Sequence, residues 1–451
     1  MKKLICGLLV LAVLCGFSVL AAAADPETSL WPAYDPETGL WGYIDEQGAW
    51  GIAPQYTQAY HFHDGCAIVD MAEHAHADTP TEGIIDETGA YLLAPEYHVD
   101  DAVCWDGAGD IYLVWRHEEE GFRMGWFNIP NRYFSGLRWT ECYAWRDTPY
   151  ILINDDYSVS GLADRATGEI VVPIEYSYTG LYDWALADGY IVAQRDGTDG
   201  CELLEIGWGP VQLPEGVYLD YVVEVAEGLV VYRDEDGLYG YISTEGEIVI
   251  PAQFDAAHEF RDGYAEVGLL DEVRTSAIID RSGNVVISGL RMYEGMVAGA
   301  LFVEWPDHNW GLVETDGTIR CRHTLPEEAY EVFWLYEFAE DGPLWVEYAL
   351  GDDEYLWGLM SREGELLGEP KWPWVYGREE ESWLAVCQDD RYGYVDAYGN
   401  TILPFEWMEA EPFDGALARV AMNECTEAYI NRAGEIVYQW TYVDNGGQMI
   451  E

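Results

Sequence analysis

The sequence predicts an all-β protein built from about eleven short tandem repeats. Short aromatic and β-branched runs alternate with turn residues along the chain, and no stretch of comparable length keeps the period of a helix. One order of residues also recurs about every 35 to 42 positions, which is typical of a repeat architecture. A length of 451 residues exceeds the roughly 250–300 residues that one hydrophobic core serves, so several domains or a repeat array is expected.

The clearest two repeats run over residues 238–267 and 391–420 and align without a gap. Each opens with aromatic-Gly-Tyr and Ile or Val, continues through a turn glycine to an aliphatic-Pro pair, and ends in Ala-x-Val. A third copy starts at Trp41. Including more degenerate copies, units are predicted to start near residues 40, 82, 124, 160, 202, 239, 276, 310, 357, 392 and 428.

Each unit is predicted to be a three-stranded meander. In the copy at residues 238–267, Thr244-Glu245-Gly246 forms a turn between the first two strands, and Pro251 ends the second. Residues 263–267 alternate in polarity, as a half-buried third strand does. Because three short strands cannot bury a face alone, neighbouring units must pack together. Propellers typically have 4–8 four-stranded blades, so an open twisted β-array is favoured, with one or two propeller-like rings as the alternative.

These motifs resemble those of the WG-repeat family, whose units carry aromatic-Gly-Tyr-Ile-Asp, a turn glycine, an Ile-Pro strand end and a later Gly-x-Ala-x-Val. The resemblance covers most of residues 31–438. It implies an array of β-hairpin units, often on exported proteins, and supplies no catalytic residue to map here. Recurring aromatic, glycine and proline positions are interpreted as structural: the aromatic-Gly pair packs between units and the proline ends a strand. Sugar stacking on the exposed rings is the alternative. These positions are Trp41, Gly42, Tyr239, Gly240, Pro251, Trp310, Gly311, Trp357, Gly358, Tyr392, Gly393 and Pro404.

The N-terminus has the pattern of a secretory signal peptide. Lys2 and Lys3 precede an uncharged apolar run over residues 4–20, and four alanines end at Ala24. We expect cleavage after Ala24, which leaves residues 25–451 as the exported repeat array. An uncleaved membrane anchor is the alternative, since the run is about the length of a spanning helix of roughly 20 residues. A lipoprotein signal at Cys15 is not favoured, because Val13 and Leu14 precede this cysteine where such a signal has small residues.

Charge restricts the possible partners. The chain has 22 Lys plus Arg and 83 Asp plus Glu, a formal net charge of -61. Nucleic acids and anionic membrane surfaces both bind through basic groups, so neither is an expected partner. After signal removal seven cysteines remain, an odd number without any C-x-x-C. Cys66, Cys104 and Cys142 are spaced by 38 residues, which we interpret as one recurring core position with reduced thiols.

Candidate chemistry is sparse. The sequence has no nucleophile elbow, phosphate loop, dinucleotide fingerprint or zincin motif, so no catalytic or cofactor-binding residue is predicted. The acid pairs at residues 155–156 and 352–353 are interpreted as solvated loops. The segments 196–200 and 234–237 are interpreted as hairpin turns, not calcium loops. Weak metal candidates are the histidines of two i, i+2 pairs, for which exposed loops are the favoured interpretation: His61, His63, His74 and His76.

We therefore expect an exported, non-enzymatic binding or scaffolding protein for a protein or cell-envelope glycan partner, with no cofactor. The alternatives are a secreted hydrolase or carbohydrate-active enzyme, and a metal-binding protein. Converging carboxylates in a deep pocket would favour an enzyme. A continuous shallow face of aromatic side chains would favour binding.

Overall fold

The computed structural model describes most of the chain after residue 29. The described ranges are 30–71, 81–100, 110–118, 121–144, 148–155, 159–177, 186–187, 189–220, 224–270, 276–323, 331–336, 338–339, 341–351, 354–377 and 383–442. The expected signal peptide, residues 1–24, lies outside them. Within these ranges the protein is all-β and has no helix, and a membrane-crossing helix is accordingly not found among them.

The described residues form 41 strands. The first group is β1 (Trp31–Asp35), β2 (Leu40–Ile44), β3 (Trp50–Tyr56), β4 (Gln58–Ala59), β5 (Cys66–Asp70), β6 (Glu82–Asp86), β7 (Tyr91–Asp100), β8 (Ile111–Glu118), β9 (Gly121–Asn128) and β10 (Tyr133–Phe134). The second group is β11 (Glu141–Ala144), β12 (Tyr150–Asn154), β13 (Val159–Asp164), β14 (Ile170–Ser177), β15 (Leu186–Ala187), β16 (Tyr190–Gln194), β17 (Cys201–Glu205), β18 (Gly209–Pro210), β19 (Val225–Ala226), β20 (Leu229–Arg233), β21 (Tyr239–Ser243) and β22 (Ile248–Phe254). The third group is β23 (Ala256–Ala257), β24 (Tyr264–Gly268), β25 (Ser276–Asp280), β26 (Val285–Leu290), β27 (Met292–Val297), β28 (Ala300–Glu304), β29 (Trp310–Val313), β30 (Ile319–His323), β31 (Glu331–Tyr336), β32 (Leu344–Gly351) and β33 (Glu354–Met360). The last group is β34 (Val375–Tyr376), β35 (Trp383–Gln388), β36 (Arg391–Asp396), β37 (Thr401–Trp407), β38 (Glu409–Ala410), β39 (Leu417–Asn423), β40 (Thr426–Asn431) and β41 (Ile436–Thr441).

These strands pair in sequence order within small antiparallel sheets. The sheets are β1–β3, the seven-stranded β4–β10, five four-stranded sheets from β11 to β30, the three-stranded β31–β33, and the four-stranded β34–β37 and β38–β41. Each predicted starting point of a unit lies within a strand, here called a motif strand. The motif strands are β2, β6, β9, β13, β17, β21, β25, β29, β33, β36 and β40.

The strand after a motif strand, here called the return strand, links one sheet to the next. The return strand β7 shows this directly, because Leu93 pairs with Ile84 of β6 while His98 pairs with Trp115 of β8. Elsewhere the return strand is interrupted, as between β22 and β23, where only Asp255 intervenes. The expected three-stranded meander is confirmed, and it continues from unit to unit.

A tight turn joins each motif strand to its return strand. In the turn after β25, one carboxylate oxygen of Asp280 accepts hydrogen bonds from the backbone N–H groups of Ser282, at 2.8 Å, and Asn284, at 2.9 Å. Gly283 takes a φ of 80°, which a glycine adopts without steric cost. A hydrogen bond from the side-chain amide of Asn284, at 3.0 Å, is the largest cause that lowers the pKa of Asp280 from its ordinary value, and the two backbone hydrogen bonds lower it further.

The motif glycine meets the backbone of its own sheet. A Cβ on Gly240 would lie 2.5 Å from the carbonyl oxygen of Ile250 and 2.7 Å from the nitrogen of Ala252. The close approach occurs where the β21–β22 register shifts, around Pro251. The strand end expected at Pro251 is wrong, because β22 accommodates the proline in this irregular register and continues to Phe254. Packing between units, the role expected for this glycine, is therefore corrected to packing between adjacent strands of one sheet.

The motif tyrosine, which directly follows the motif glycine, links neighbouring units. The Tyr241 hydroxyl donates to the carbonyl oxygen of His258 at 2.8 Å, and its ring centroid lies 4.8 Å from that of Phe260. Tyr43 and Tyr394 make the same link, to residues 60 and 411, at 2.9 and 2.8 Å. Each hydroxyl thus ties a motif strand to the loop that leads into the next unit.

The first and last sheets contact each other. Tyr429, which occupies the motif tyrosine position of β40, donates its hydroxyl to the carbonyl oxygen of Pro32 at 3.0 Å. Tyr438 donates to the carbonyl oxygen of Tyr34 at 3.1 Å. Trp31, 1% exposed, shares a buried cluster with Leu30, Tyr429 and Trp440. Here called the closure seam, this contact joins the ends of the array, so the ring-like alternative describes the arrangement.

The cysteines do not share one position. Cys66 lies on β5, which pairs with a motif strand, whereas Cys142 lies on β11, one strand further away. The interval of 38 residues therefore does not mark a recurring core site, and Cys104 lies outside the described residues. Free thiols at described positions include Cys66, Cys142, Cys201, Cys321 and Cys387. Burial raises the pKa of the Cys201 thiol to about 11.

Candidate binding surface

Several repeat-structural residues are buried within the sheets. Trp41, Trp310 and Trp357 are 8%, 2% and 7% exposed, so their rings contact protein and present little face to a ligand. Tyr239 and Tyr392 are partly exposed. Gly42 and Gly393 approach their return strands as Gly240 does.

Two of the four histidines of the metal hypothesis, His61 and His63, lie among the described residues. His61 Nδ1 lies 3.5 Å from a carboxylate oxygen of Asp414, next to the closure seam. His63 exchanges two backbone hydrogen bonds with Cys66, at 2.8 and 2.9 Å. His74 and His76 lie outside the described residues. Among the residues that are described, no group of three or more His, Cys, Asp or Glu is arranged to hold a metal ion.

Some of the acidic segments singled out in the sequence form turns in the structure, and others lie outside the described residues. The Asp234 carboxylate accepts hydrogen bonds from the backbone N–H groups of Asp236, at 3.0 Å, and Leu238, at 2.9 Å, and so closes a hairpin turn. At residues 196–200, the Thr198 N–H donates to the carbonyl oxygen of Arg195. Asp156 and the pair at residues 352–353 lie outside the described part of the chain.

A row of exposed apolar side chains marks the start of the return strands. Each occupies the same place, opposite the last or next-to-last residue of a motif strand, as Ile248 is opposite Ile242. Exposed apolar side chains that recur at the equivalent position of seven return strands indicate a candidate binding surface. These residues, here called the apolar rim, are Trp50, Tyr91, Ile170, Ile248, Val285, Ile319 and Ile436, which are 37%, 43%, 46%, 47%, 50%, 48% and 48% exposed.

Exposed carboxylates border the apolar rim. The turn before Ile248 contributes Glu245 and Glu247, and Ile170 and Ile436 directly follow Glu169 and Glu435, all of them exposed. Arginines, by contrast, are largely neutralised by acids within the fold. Such pairs, at 2.6 to 3.4 Å, include Arg165–Asp110, Arg233–Asp220, Arg281–Glu227, Arg320–Glu314, Arg322–Asp307 and Arg419–Glu427.

A second exposed feature is a stack of aromatic rings near β34. Trp374 and Tyr376 are 52% and 44% exposed, and their ring centroids are 6.4 Å apart with planes 4° from parallel. Tyr376 continues the stack to Tyr392 at 6.3 Å. Neither feature was predicted from the sequence. An apolar residue placed directly after the turn, where a strand edge is exposed, is the signal that indicates the rim.

Comparison with known proteins identifies the repeat. Residues 41–71, 239–269 and 392–424 match the model of the family described as WG containing repeat. None of the curated proteins matches the chain. Similar solved structures include a eukaryotic initiation factor, at 12% identity and a TM-score of 0.40, covering 94% of this chain and 97% of that one. Hsv2 of Kluyveromyces lactis is 11% identical, with a TM-score of 0.31 and coverages of 62% and 94%. BamB from Moraxella catarrhalis is 12% identical, with a TM-score of 0.29 and coverages of 75% and 96%.

Proposed function

We propose that this chain, which is a WG-repeat protein, is an exported, non-enzymatic binding or scaffolding module whose apolar rim contacts a basic partner protein. The observation that carries the proposal is the recurrence of an exposed apolar residue at one position of the return strands. A repeated position on a ring offers several equivalent contacts to one partner, which suits a scaffold.

Charge indicates the partner's chemistry. Acids border the rim, and the net charge of -61 attracts basic surfaces and accelerates their association. The partner is therefore expected to combine apolar side chains with Lys or Arg. Export is supported by the signal-peptide pattern of residues 1–24. The mature protein recovered from culture medium should begin at or next to Asp25, and an intact mass that retains residues 1–24 would exclude release.

Binding is tested with a synthetic amphipathic peptide of Leu and Lys. Calorimetric titration should show saturable binding that is lost when Ile170, Ile248 and Ile436 are all replaced by Ser. The matched control replaces three exposed polar residues of the return strands, Gln55, Gln253 and Glu406, by Ser and should bind as the parent does. Equal loss in both variants, or binding that follows peptide charge regardless of Leu placement, would mean only diffuse attraction to an acidic surface.

A second candidate function, binding of an envelope glycan, is favoured by the stack of Trp374, Tyr376 and Tyr392. Exposed near-parallel rings offer apolar faces on which sugar rings can pack. Titration with chitohexaose should then quench tryptophan fluorescence in the parent protein and not in Trp374→Ala. Identical quenching in both would remove the stack as a glycan site.

A further inference from the structure

A cleft of about 530 Å³ lies between the sheet of β31–β33 and the sheet of β34–β37. Its apolar lining includes Leu359 and Leu367, and the ring of Tyr398 stands beside it, 55% exposed. Glu369 and Lys371 provide its charged groups. The volume is within the usual range of ligand sites, about 300–1,000 Å³.

The cleft exists because one repeat departs from the pattern. Trp357 and Met360 of β33 are bridged to Trp372 and Leu366, as Tyr392 and Val395 of β36 pair with Trp407 and Thr401 of the next return strand. In this register Gly368 occupies the position that Leu403 has in β37. Other return strands have Ile52, Leu93, Val172 and Ile250 at this position, all buried.

The aliphatic side chain found at this position in other units, where this unit has Gly368, has a defined packing partner. There the aliphatic residue packs against the turn glycine of the following unit, as Ile250 does against the Cβ position of Gly283, at 3.1 Å, and Leu403 against that of Gly434, at 3.2 Å. A Cβ on Gly368 would meet nothing within 4 Å. The corresponding turn glycine, Gly399, instead lies against Leu359 and Trp372. Gly368 therefore leaves one side of this cleft open, whereas Leu359 and Trp372 occupy the side next to Gly399.

The charge pattern departs at the same place. Lys371 occupies the position of Gln55, Gln253 and Glu406 in other return strands, and no other lysine occurs in the described part of the chain. Its ammonium lies 4.2 Å from the ring centroid of Trp372. Glu369, two residues away, lines the cleft with the opposite charge. A lysine and a glutamate thus line a cleft that also contains Leu359, Leu367 and Tyr398, in a protein of strongly negative net charge.

We propose that the cleft binds a free α-amino acid with a large apolar side chain. The ligand carboxylate pairs with Lys371 and its ammonium with Glu369, while its side chain contacts Leu359, Leu367 and Tyr398. Two opposite charges favour a zwitterion over a simple acid or amine, because each ligand charge replaces lost water with an oppositely charged partner. This site is separate from the apolar rim and goes beyond the proposed scaffold role.

Three related probes test the proposal by calorimetric titration. L-phenylalanine should bind saturably, and 3-phenylpropanoate, which lacks the ammonium, and 2-phenylethylamine, which lacks the carboxylate, should each bind about tenfold or more weakly. Lys371→Gln, which installs the residue type of other repeats, should weaken L-phenylalanine by a similar factor and leave 2-phenylethylamine unchanged. Leu359→Trp, which fills the cleft, should abolish binding of all three probes.

Controls separate the site from general effects. Glu406→Gln changes the equivalent position of the next return strand and should bind L-phenylalanine as the parent does. The triple Ser variant of the apolar rim should also retain it, so failure of the rim proposal is distinguishable from failure here. No saturable binding of L-phenylalanine up to about 10 mM, or binding unaffected by Lys371→Gln, would overturn the proposal. Equal binding of L-phenylalanine and 2-phenylethylamine would also overturn it, since a cation alone would then suffice.

Discussion

The glycine that follows the motif aromatic is required by its neighbouring strand. Gly240 pairs with Tyr232 on one side, and the backbone from Ile250 to Ala252 approaches it on the other. The Tyr232 hydroxyl accepts a hydrogen bond from the Ala252 N–H at 2.9 Å, which fixes the irregular part of the return strand. A side chain at this position must therefore displace backbone, which yields less readily than a side chain does.

Replacing Gly240 by Ala should destabilise the protein by about 1–3 kcal/mol, a typical cost of overpacking. The measurement is the free energy of unfolding from urea denaturation. Gly200→Ala is the matched control, because a Cβ there meets nothing within 4 Å and the backbone is not in the left-handed region. If both variants unfold like the parent, the close approach has no energetic importance and the recurrence of the glycine needs another cause.

At the scale of the element, the motif tyrosine joins one unit to the next. Removal of the hydroxyl in Tyr241→Phe leaves the His258 carbonyl oxygen without this donor and should cost about 1 kcal/mol. Hydrogen exchange should accelerate mainly in β23 and β24, because stability in a repeat array depends on nearest neighbours. Tyr91→Phe, at a 43% exposed ring, should change neither quantity. Faster exchange in both variants would indicate a general effect of tyrosine loss.

The same tyrosines predict a loss of stability at alkaline pH. Burial raises the pKa of Tyr241 and Tyr394 above the ordinary value, and raises the pKa of Tyr56 to about 12. The unfolded chain releases these protons near pH 10, so the contribution is complete below about pH 10 and is lost as pH rises toward the folded-state pKa. Urea midpoints at constant ionic strength should therefore fall above about pH 10. A flat profile would contradict burial of these phenols, and Tyr241→Phe should reduce the slope.

At the scale of the whole molecule, the closure seam decides how unfolding spreads. Tyr429 makes the motif tyrosine link to Pro32 across 397 sequence positions, whereas Tyr241 reaches only 17 positions ahead. Trp31 and Trp440 are each 1% exposed, so apolar burial supports the same contact. A ring distributes the effect of a local change differently from an open array, because every sheet has two neighbours.

Tyr429→Phe should cost about 1 kcal/mol, as Tyr241→Phe does, and should accelerate hydrogen exchange both in β40–β41 and in β1–β3. Trp31→Ala should have a larger effect in the same two regions, about 3–5 kcal/mol. Exchange that accelerates at only one end of the chain would show that the first and last sheets do not depend on each other in solution. Tyr241→Phe serves as the internal comparison, since its effect should remain far from the seam.

Much of the fold was predictable because its determinants are local. Aromatic runs and turn residues such as Asp280 and Gly283 act within a few positions, so their period predicted the units and the meander. The strand end predicted at Pro251 was wrong, because β22 continues to Phe254 through an irregular register. The WG-repeat resemblance, first recognised at Trp41, Tyr239 and Tyr392, is confirmed by the family match. Tertiary contacts corrected the role of Gly240 and the shared position assigned to Cys66 and Cys142, since neither follows from spacing alone.

What the sequence by itself determined is the all-β class, the repeat period and the acidic character, all properties of neighbouring residues and composition. The tertiary structure decided the contact between Tyr429 and Pro32, because sequence spacing does not reveal whether a gradual turn per unit brings distant ends together. It also decided which apolar side chains are exposed on the rim, and it brought Gly368 and Lys371 into the lining of one cleft. Those features depend on register between strands, which brings residues from different units to one place.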